Sequence, residues 1–206
     1  MFITFEGCEG SGKTTQSSLL KDFLITEGMK CLLTKEPGGT KLAAKLREIL
    51  LDDEVADPAV EFLLFCAARR DHVNNLIIPA LSSGAYVICD RFLDSSLVYQ
   101  GYTKGLNIEN MINLHKTYVT DLEPDLTFVL DIEPENAVER ICSRSNANHY
   151  DKMPIKFHKA VREGFLFISK MFRKRIVVLD AEVEKEILFL QIKSILSRSV
   201  TSKTLK

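Results

Sequence analysis

The sequence predicts an α/β fold, a five-stranded parallel sheet flanked by helices, on three observations. Short apolar runs rich in β-branched and aromatic residues alternate with longer segments of helical period, the pattern of βαβ units. Breaker clusters separate them, notably Glu36-Pro37-Gly38-Gly39 and Ser82-Ser83-Gly84. A glycine-rich turn stands directly between the first apolar run and the first helical segment.

Taken in chain order, the predicted strands are Phe2 to Glu6, Lys30 to Thr34, Tyr86 to Asp90, Leu126 to Ile132 and Ile176 to Leu179. Each is short, and the residues that end it are turn formers or charges. The predicted helices, each with an apolar stripe, are Lys13 to Glu27, Lys41 to Leu51, Ala59 to Ser82, Ile108 to Tyr118, Glu135 to Cys142, Ile155 to Met171 and Glu182 to Leu196. The polar stretch Ser143 to Pro154 lies between two helices and suits a mobile lid. The polar terminus from Ser197 to Lys206 is expected to fray.

With 206 residues, 46% of them hydrophobic, the chain fits one domain, residues 1–206, with a real core. A formal net charge of −1 with 27% charged residues excludes a globally basic nucleic-acid binder and a disordered acidic chain. The five cysteines are scattered and never in a C-x-x-C pair, which argues against a disulfide framework and a zinc site. No charged n-region with a cleavage site opens the chain, and no apolar run reaches the roughly 18 residues of a membrane span. The expectation is a cytoplasmic protein with no membrane and no nucleic acid among its partners.

Gly7-Cys8-Glu9-Gly10-Ser11-Gly12-Lys13-Thr14 matches G-x-x-x-x-G-K-[ST] between a strand and a helix. Glycines let the backbone curl so that N–H groups and a helix N-terminus face phosphate oxygens. Lys13 reaches the β and γ phosphates and the Thr14 hydroxyl ligates Mg²⁺, so the turn, continued by Thr15, is a nucleoside triphosphate site. The third strand ends in Asp90-Arg91 at the carboxyl edge of the sheet, where ligands of open α/β sheets bind. Asp90 suits the Mg²⁺ shell, and Arg91 suits a bridge between donor and acceptor phosphates. No N-K-x-D tetrapeptide occurs, which disfavours a GTP switch protein. Phe65 and Arg69 lie four apart on one helical face. Alone, the pair allows two readings: a ring and a guanidinium on a base, or a core phenylalanine beside a snorkelling surface arginine.

Glu6 to Gln16, Lys35-Glu36-Pro37-Gly38-Gly39-Thr40, Leu64 to Arg69, Asp90-Arg91, Ser95-Ser96, Tyr99-Gln100-Gly101, Pro124 to Thr127 and Leu130-Asp131 resemble bacterial thymidylate kinases in order and spacing. The match runs over most of the chain and weakens after Arg144. This resemblance implies a three-layer P-loop kinase fold with a lid at about 143–154, a homodimer, and transfer of the ATP γ-phosphoryl group to dTMP. Residue by residue it implies that Phe65 stacks on thymine, Arg69 hydrogen-bonds the base, Arg91 holds the acceptor phosphate and Glu9 approaches the sugar 3′-hydroxyl. Ser95, Ser96, Tyr99 and Gln100 would line the nucleoside pocket, with Arg47 a further phosphate contact. Relatives with glycine at the place of Gly10 take catalytic positive charge from an arginine-rich lid. Here the lid reads Asn148-His149-Tyr150-Asp151, and a histidine with a pKa near 6.5 is mostly neutral at pH 7, so the charge falls to Arg140 and Arg144. The rival expectations are another nucleotide or deoxynucleoside kinase, or a P-loop module that binds ATP without transferring phosphate.

Overall fold

A computed structural model describes residues 1–52, 56–142 and 150–204. Its strands are β1 (Phe2–Glu6), β2 (Cys31–Lys35), β3 (Tyr86–Asp90), β4 (Leu126–Asp131) and β5 (Ile176–Asp180), in the order β2-β3-β1-β4-β5 and all parallel. All five residues of central β1 are buried, and their side chains divide between two cores by strand period. Ile3 and Phe5 enter the larger core with Leu20, Ile88, Phe128 and Ile168, whereas Phe2 faces Val73, Ile77, Val87 and Phe92 across the sheet. A central parallel strand covered on both faces has no solvent side to present, which explains apolar Phe2, Ile3 and Phe5 on both faces, while buried Thr4 pairs its hydroxyl with that of Thr127 at 2.7 Å.

The helices are α1 (Lys13–Thr26), α2 (Lys41–Asp52), α3 (Pro58–His72), α4 (Ile78–Ser82), α5 (Leu93–Ser96), α6 (Ile108–Leu114), α7 (Pro134–Cys142), α8 (Ile155–Met171) and α9 (Lys185–Thr204). The predicted helix Ala59 to Ser82 forms, with a π-helical turn at Val73–Ile77 joining α3 to α4. Asp57 caps α3, accepting from the Ala59 and Val60 amides at 2.7 and 3.4 Å, and Pro58 takes the first turn, where no N–H is needed. Among the described residues no helix is long and apolar enough to cross a membrane.

Two expectations are corrected. The terminus expected to fray continues α9 to Thr204, because Leu196 is buried and Val200 still packs on the core one turn later. The stretch Leu93–Tyr102, given no element from sequence, is helical, as α5 and a following π-helical segment. Every residue from Ser96 to Gly101 is buried, so the segment shows no polar face and no helical period to read.

Register brings the strand ends together. Phe5 and Lys35 both pair with Asp90, so Glu6, Lys35 and Asp90 finish at one edge and the loops beyond them form one cleft.

Candidate active site

Beyond that edge lies a cavity of about 290 Å³, lined on one side by the 7–14 loop and on the other by α3 and the segment 91–100. Gly7 and Gly10 hold positive φ angles of 135° and 77°. A Cβ would lie 2.6 Å from the Leu130 carbonyl oxygen at Gly7 and 2.5 Å from that of Ala137 at Gly10, so only glycine lets the loop press against β4 and α7. Gly12 precedes α1 and offers no capping side chain, which leaves the first helix amides for an anion.

Lys13 folds back over its own loop, donating to the carbonyls of Cys8 (2.7 Å) and Gly7 (3.1 Å) and to Ser11 Oγ (3.4 Å). Burial, then the neighbouring Arg91, hold its pKa below the usual lysine value. Burial pushes the Cys8 thiol up to about 11, so it is a neutral packing group rather than a nucleophile. At the open mouth Thr14 Oγ1 donates to Asp90 Oδ2 at 2.6 Å. A hydroxyl and a carboxylate at one point form an all-oxygen set that fits Mg²⁺.

Arg91 is the only non-glycine residue with positive φ (70°) among the described residues, and that backbone turn aims its guanidinium back across the cleft. It donates to Glu9 Oε1 (2.8 Å), the Gly7 carbonyl (3.0 Å) and Ser95 Oγ (3.0 Å). Tyr99 donates its hydroxyl to Glu9, 2.7 and 2.8 Å from the two carboxylate oxygens. Burial opposes ionisation of Glu9, but Arg91, Lys13 and the Tyr99 hydroxyl together hold its pKa below the usual value.

Beneath Arg91, Glu6 is fully buried at the end of β1 and accepts from the Phe92 amide (2.7 Å) and Ser95 Oγ (2.5 Å). Burial, and next to it Asp94, push its pKa up to about 8. Asp94 is itself clamped by both Arg175 terminal nitrogens at 2.7 Å. The turn that carries Arg91 is thus held from below on two sides.

On the opposite wall Arg69 is 2% exposed. It donates to Glu36 Oε2 (2.6 Å), Ser96 Oγ (3.0 Å) and the Phe92 carbonyl (3.2 Å), while its Nη1 has no partner. Glu36 Oε1 pairs with His72 Nδ1 at 3.0 Å, and His72 Nε2 with Thr34 Oγ1 at 2.8 Å. Glu36, His72 and Cys89 bring ligand atoms within 4.8 Å of one another, but Arg69 and Thr34 occupy the first two, making the cluster a hydrogen-bonded brace. Gln100, 1% exposed, donates Nε2 to Glu61 Oε2 (3.0 Å), and its Oε1 has no partner. Phe65 and Arg47 also line the cavity, Arg47 with Nη1 on the Pro37 carbonyl at 2.8 Å.

The snorkelling alternative for Arg69 is therefore excluded, because its guanidinium is inside. The lid expectation is corrected in its described part. Tyr150, on a 3-10 turn at Tyr150–Lys152, is buried, packs edge-on against Tyr99 at 5.2 Å and donates to Glu61, so this end of the lid is a packed element. Arg140 does not line the cavity; its guanidinium donates to the Ala181 carbonyl at 3.2 Å, on the β5 side. Arg144 and His149 lie outside the described residues. Sequence reasoning quoted Glu6, Glu36 and Tyr150 within motifs but gave them no role, and it missed Glu61. For Glu36 the signal was its place directly after a strand; for Glu61 there was none beyond a lone acid in an apolar helix.

The family model for thymidylate kinase matches residues 5–192. The chain is 41% identical over 191 residues to a thymidylate kinase of Bacillus velezensis, covering 91% of this chain and 90% of that protein. It is 46% identical over 180 residues to one from Rickettsia africae, covering 87% and 88%. Among solved structures, that of an Ehrlichia chaffeensis thymidylate kinase superposes with a TM-score of 0.77 at 36% identity, covering 95% of this chain and 98% of that one. A glycine loop of the G-x-x-x-x-G-K-T pattern facing a wall of buried polar side chains, on a sheet of this order and with this similarity along nearly its whole length, means that the chain belongs to the thymidylate kinase family.

Proposed function

We infer that the protein transfers the γ-phosphoryl group of ATP to dTMP, giving dTDP and ADP. The observation that carries the choice of acceptor is the pair of buried orphan atoms on one wall, the Arg69 Nη1 donor and the Gln100 Oε1 acceptor. A buried polar group without a partner costs about 1–3 kcal/mol, so a ligand that supplies both partners gains where others do not. Thymine offers an acceptor carbonyl at C4 beside the N3–H donor, which matches this pair. Phe65 supplies the ring face for stacking, Ser96 holds Arg69 in place, and Tyr99 closes the sugar side next to Glu9.

In this reading the P-loop amides and Lys13 hold the β and γ phosphates, for which a polyphosphate is a stronger partner than the carbonyls Lys13 now contacts. Thr14 and Asp90 would hold Mg²⁺, which supplies charge neutralisation at the phosphates. An oxygen of the dTMP phosphate attacks the γ-phosphorus in line as the bond to the β-phosphate oxygen breaks. The attacking oxygen is already ionised at pH 7, so no side chain has to remove a proton. Arg91 spans the two phosphate groups, and Arg144 adds positive charge from the lid. Catalysis is positioning and electrostatics. A homodimer and a cytoplasmic location belong to the same reading, the former supported by Val60 and Leu63, half-exposed on the outer face of α3.

The test is ADP release with dTMP, dUMP, dCMP, AMP and GMP as acceptors. Expected is a preference for dTMP over dUMP of about ten- to a hundredfold for one methyl group, and a larger one over dCMP. Efficient turnover of dCMP, AMP or GMP with little response to dTMP would overturn the reading.

A further inference from the structure

Gln100 can present either end of its amide to a ligand, and the two ends select opposite bases. With Oε1 toward the base it accepts from the N3–H of thymine or uracil. With Nε2 there it would donate to the bare N3 of cytosine. The choice is made one layer behind the cavity wall. Glu61, on the first turn of α3 and 3% exposed, accepts from Gln100 Nε2 at 3.0 Å, from Lys104 Nζ at 2.8 Å and from the Tyr150 hydroxyl. A carboxylate has no proton to give, so the amide facing it must offer its NH₂ end. Lys104 also lies over the Tyr150 ring, 5.7 Å from the centroid, which closes the group around the acid. Glu61 itself does not line the cavity.

We propose that Glu61 is a positioning residue for acceptor choice: by fixing the Gln100 amide with its oxygen toward the cleft, it sets the enzyme for bases with an imide N–H and against cytosine. This rests on the dTMP kinase reading above. A flipped amide would turn its NH₂ to the cleft and set its oxygen against Glu61, carbonyl against carboxylate, a buried acceptor facing an acceptor. Removing the charge removes that penalty. In Glu61→Gln the facing amide can donate as well as accept, so both orientations of Gln100 become available. Arg69 still disfavours the cytosine amino group, so discrimination is relaxed rather than abolished. Tyr150 joins the same carboxylate, which ties the described end of the lid to the base-reading amide.

The experiment measures kcat/KM for dTMP and for dCMP in the wild type and in Glu61→Gln. Taken as a ratio, any fraction of inactive chain cancels, which separates specificity from stability. Expected is a fall in the dTMP to dCMP ratio of about tenfold, the equivalent of 1.4 kcal/mol, with KM for dTMP rising more than kcat falls. An unchanged ratio overturns the proposal and leaves the kinase reading standing. A wild type that uses dCMP as readily as dTMP overturns the reading beneath it. If Glu61→Gln does not fold, Lys104→Met provides the test by weakening the hold on the same carboxylate. There a two- to threefold fall in the ratio is expected, and no change overturns the proposal.

Discussion

The two sides of the cleft are built on different principles. The donor side is backbone: three glycines in left-handed conformation, bare helix amides, and side chains such as Thr14 and Thr15 that stand exposed at the mouth. The acceptor side is side chains, all buried and held in two hydrogen-bonded groups: Arg69 with Glu36 and His72, and Gln100 with Glu61. Backbone amides recognise phosphate whatever nucleoside carries it, so the donor side needs only the right turn. Buried side-chain donors and acceptors recognise one base, and the desolvation they suffer is what makes a wrong base expensive. Damage to the donor side should therefore appear in kcat with the fold intact, and damage to the acceptor side in stability and specificity.

The largest expected effect tests the first half of that contrast. Lys13→Met should lower kcat by at least about 10³ with little change in thermal midpoint, since among the described residues the ammonium hydrogen-bonds only its own loop. Steady-state kinetics beside a melting curve decides it, and near-normal turnover in a folded variant would break the P-loop assignment. Next, Arg144→Ala should lower kcat by roughly 10²–10³ while moving KM for either substrate much less, as loss of a transition-state charge does. Arg140→Ala, whose guanidinium is seated on Ala181, should stay within about threefold. A reversal of the two would transfer the lid's role to Arg140.

The acceptor side is tested by Glu36→Gln. It leaves Arg69 buried without its charge partner, a kind of change that costs about 3–5 kcal/mol, and the midpoint should fall on the order of ten degrees. A midpoint unchanged within two degrees, read by calorimetry, would show that the wall is less tightly coupled than its geometry implies. The smallest effect concerns Glu6, whose pKa stands at about 8 against an ordinary 4.5. The folded state then holds a proton that the unfolded chain has released. This contribution to stability is full below about pH 4.5 and is lost as pH rises toward about 8. Facing Glu6 are Asp94, Arg91, Arg69 and Arg175, of which Asp94 raises its pKa and Arg91 lowers it. Glu6→Gln should flatten the decline in midpoint between pH 5.5 and 8.5, and an identical pH slope in variant and wild type would assign that decline to other groups.

How much of this was legible beforehand divides along the same line. Local patterns that act through the backbone could be read: the G-x-x-x-x-G-K-T turn, the Asp90-Arg91 strand end, and the five strands, with β2 displaced by a single residue and the ends of β4 and β5 each off by one. The contacts of the acceptor wall could not. Arg69 reaches Glu36 across 33 positions, and Tyr150 reaches Glu61 across 89. An arginine or glutamate in a largely apolar helix carries no mark that a partner waits on another element. Periodicity could not separate the snorkelling Arg69 from the buried one, and resemblance alone favoured the latter.

The sequence by itself determined the fold class and the phosphate chemistry, because a glycine that must adopt positive φ and a lysine one residue beyond the last of them act over a few bonds. Only the tertiary structure decided which end of the Gln100 amide is bonded to Glu61, that Arg69 retains a free donor, and that Arg91 turns back across the cleft on a positive φ above buried Glu6. These depend on the register that ends β1, β2 and β3 at one edge. Hydrogen bonds between elements exist only once packing has removed water from between them, and that removal is a property of the assembled core.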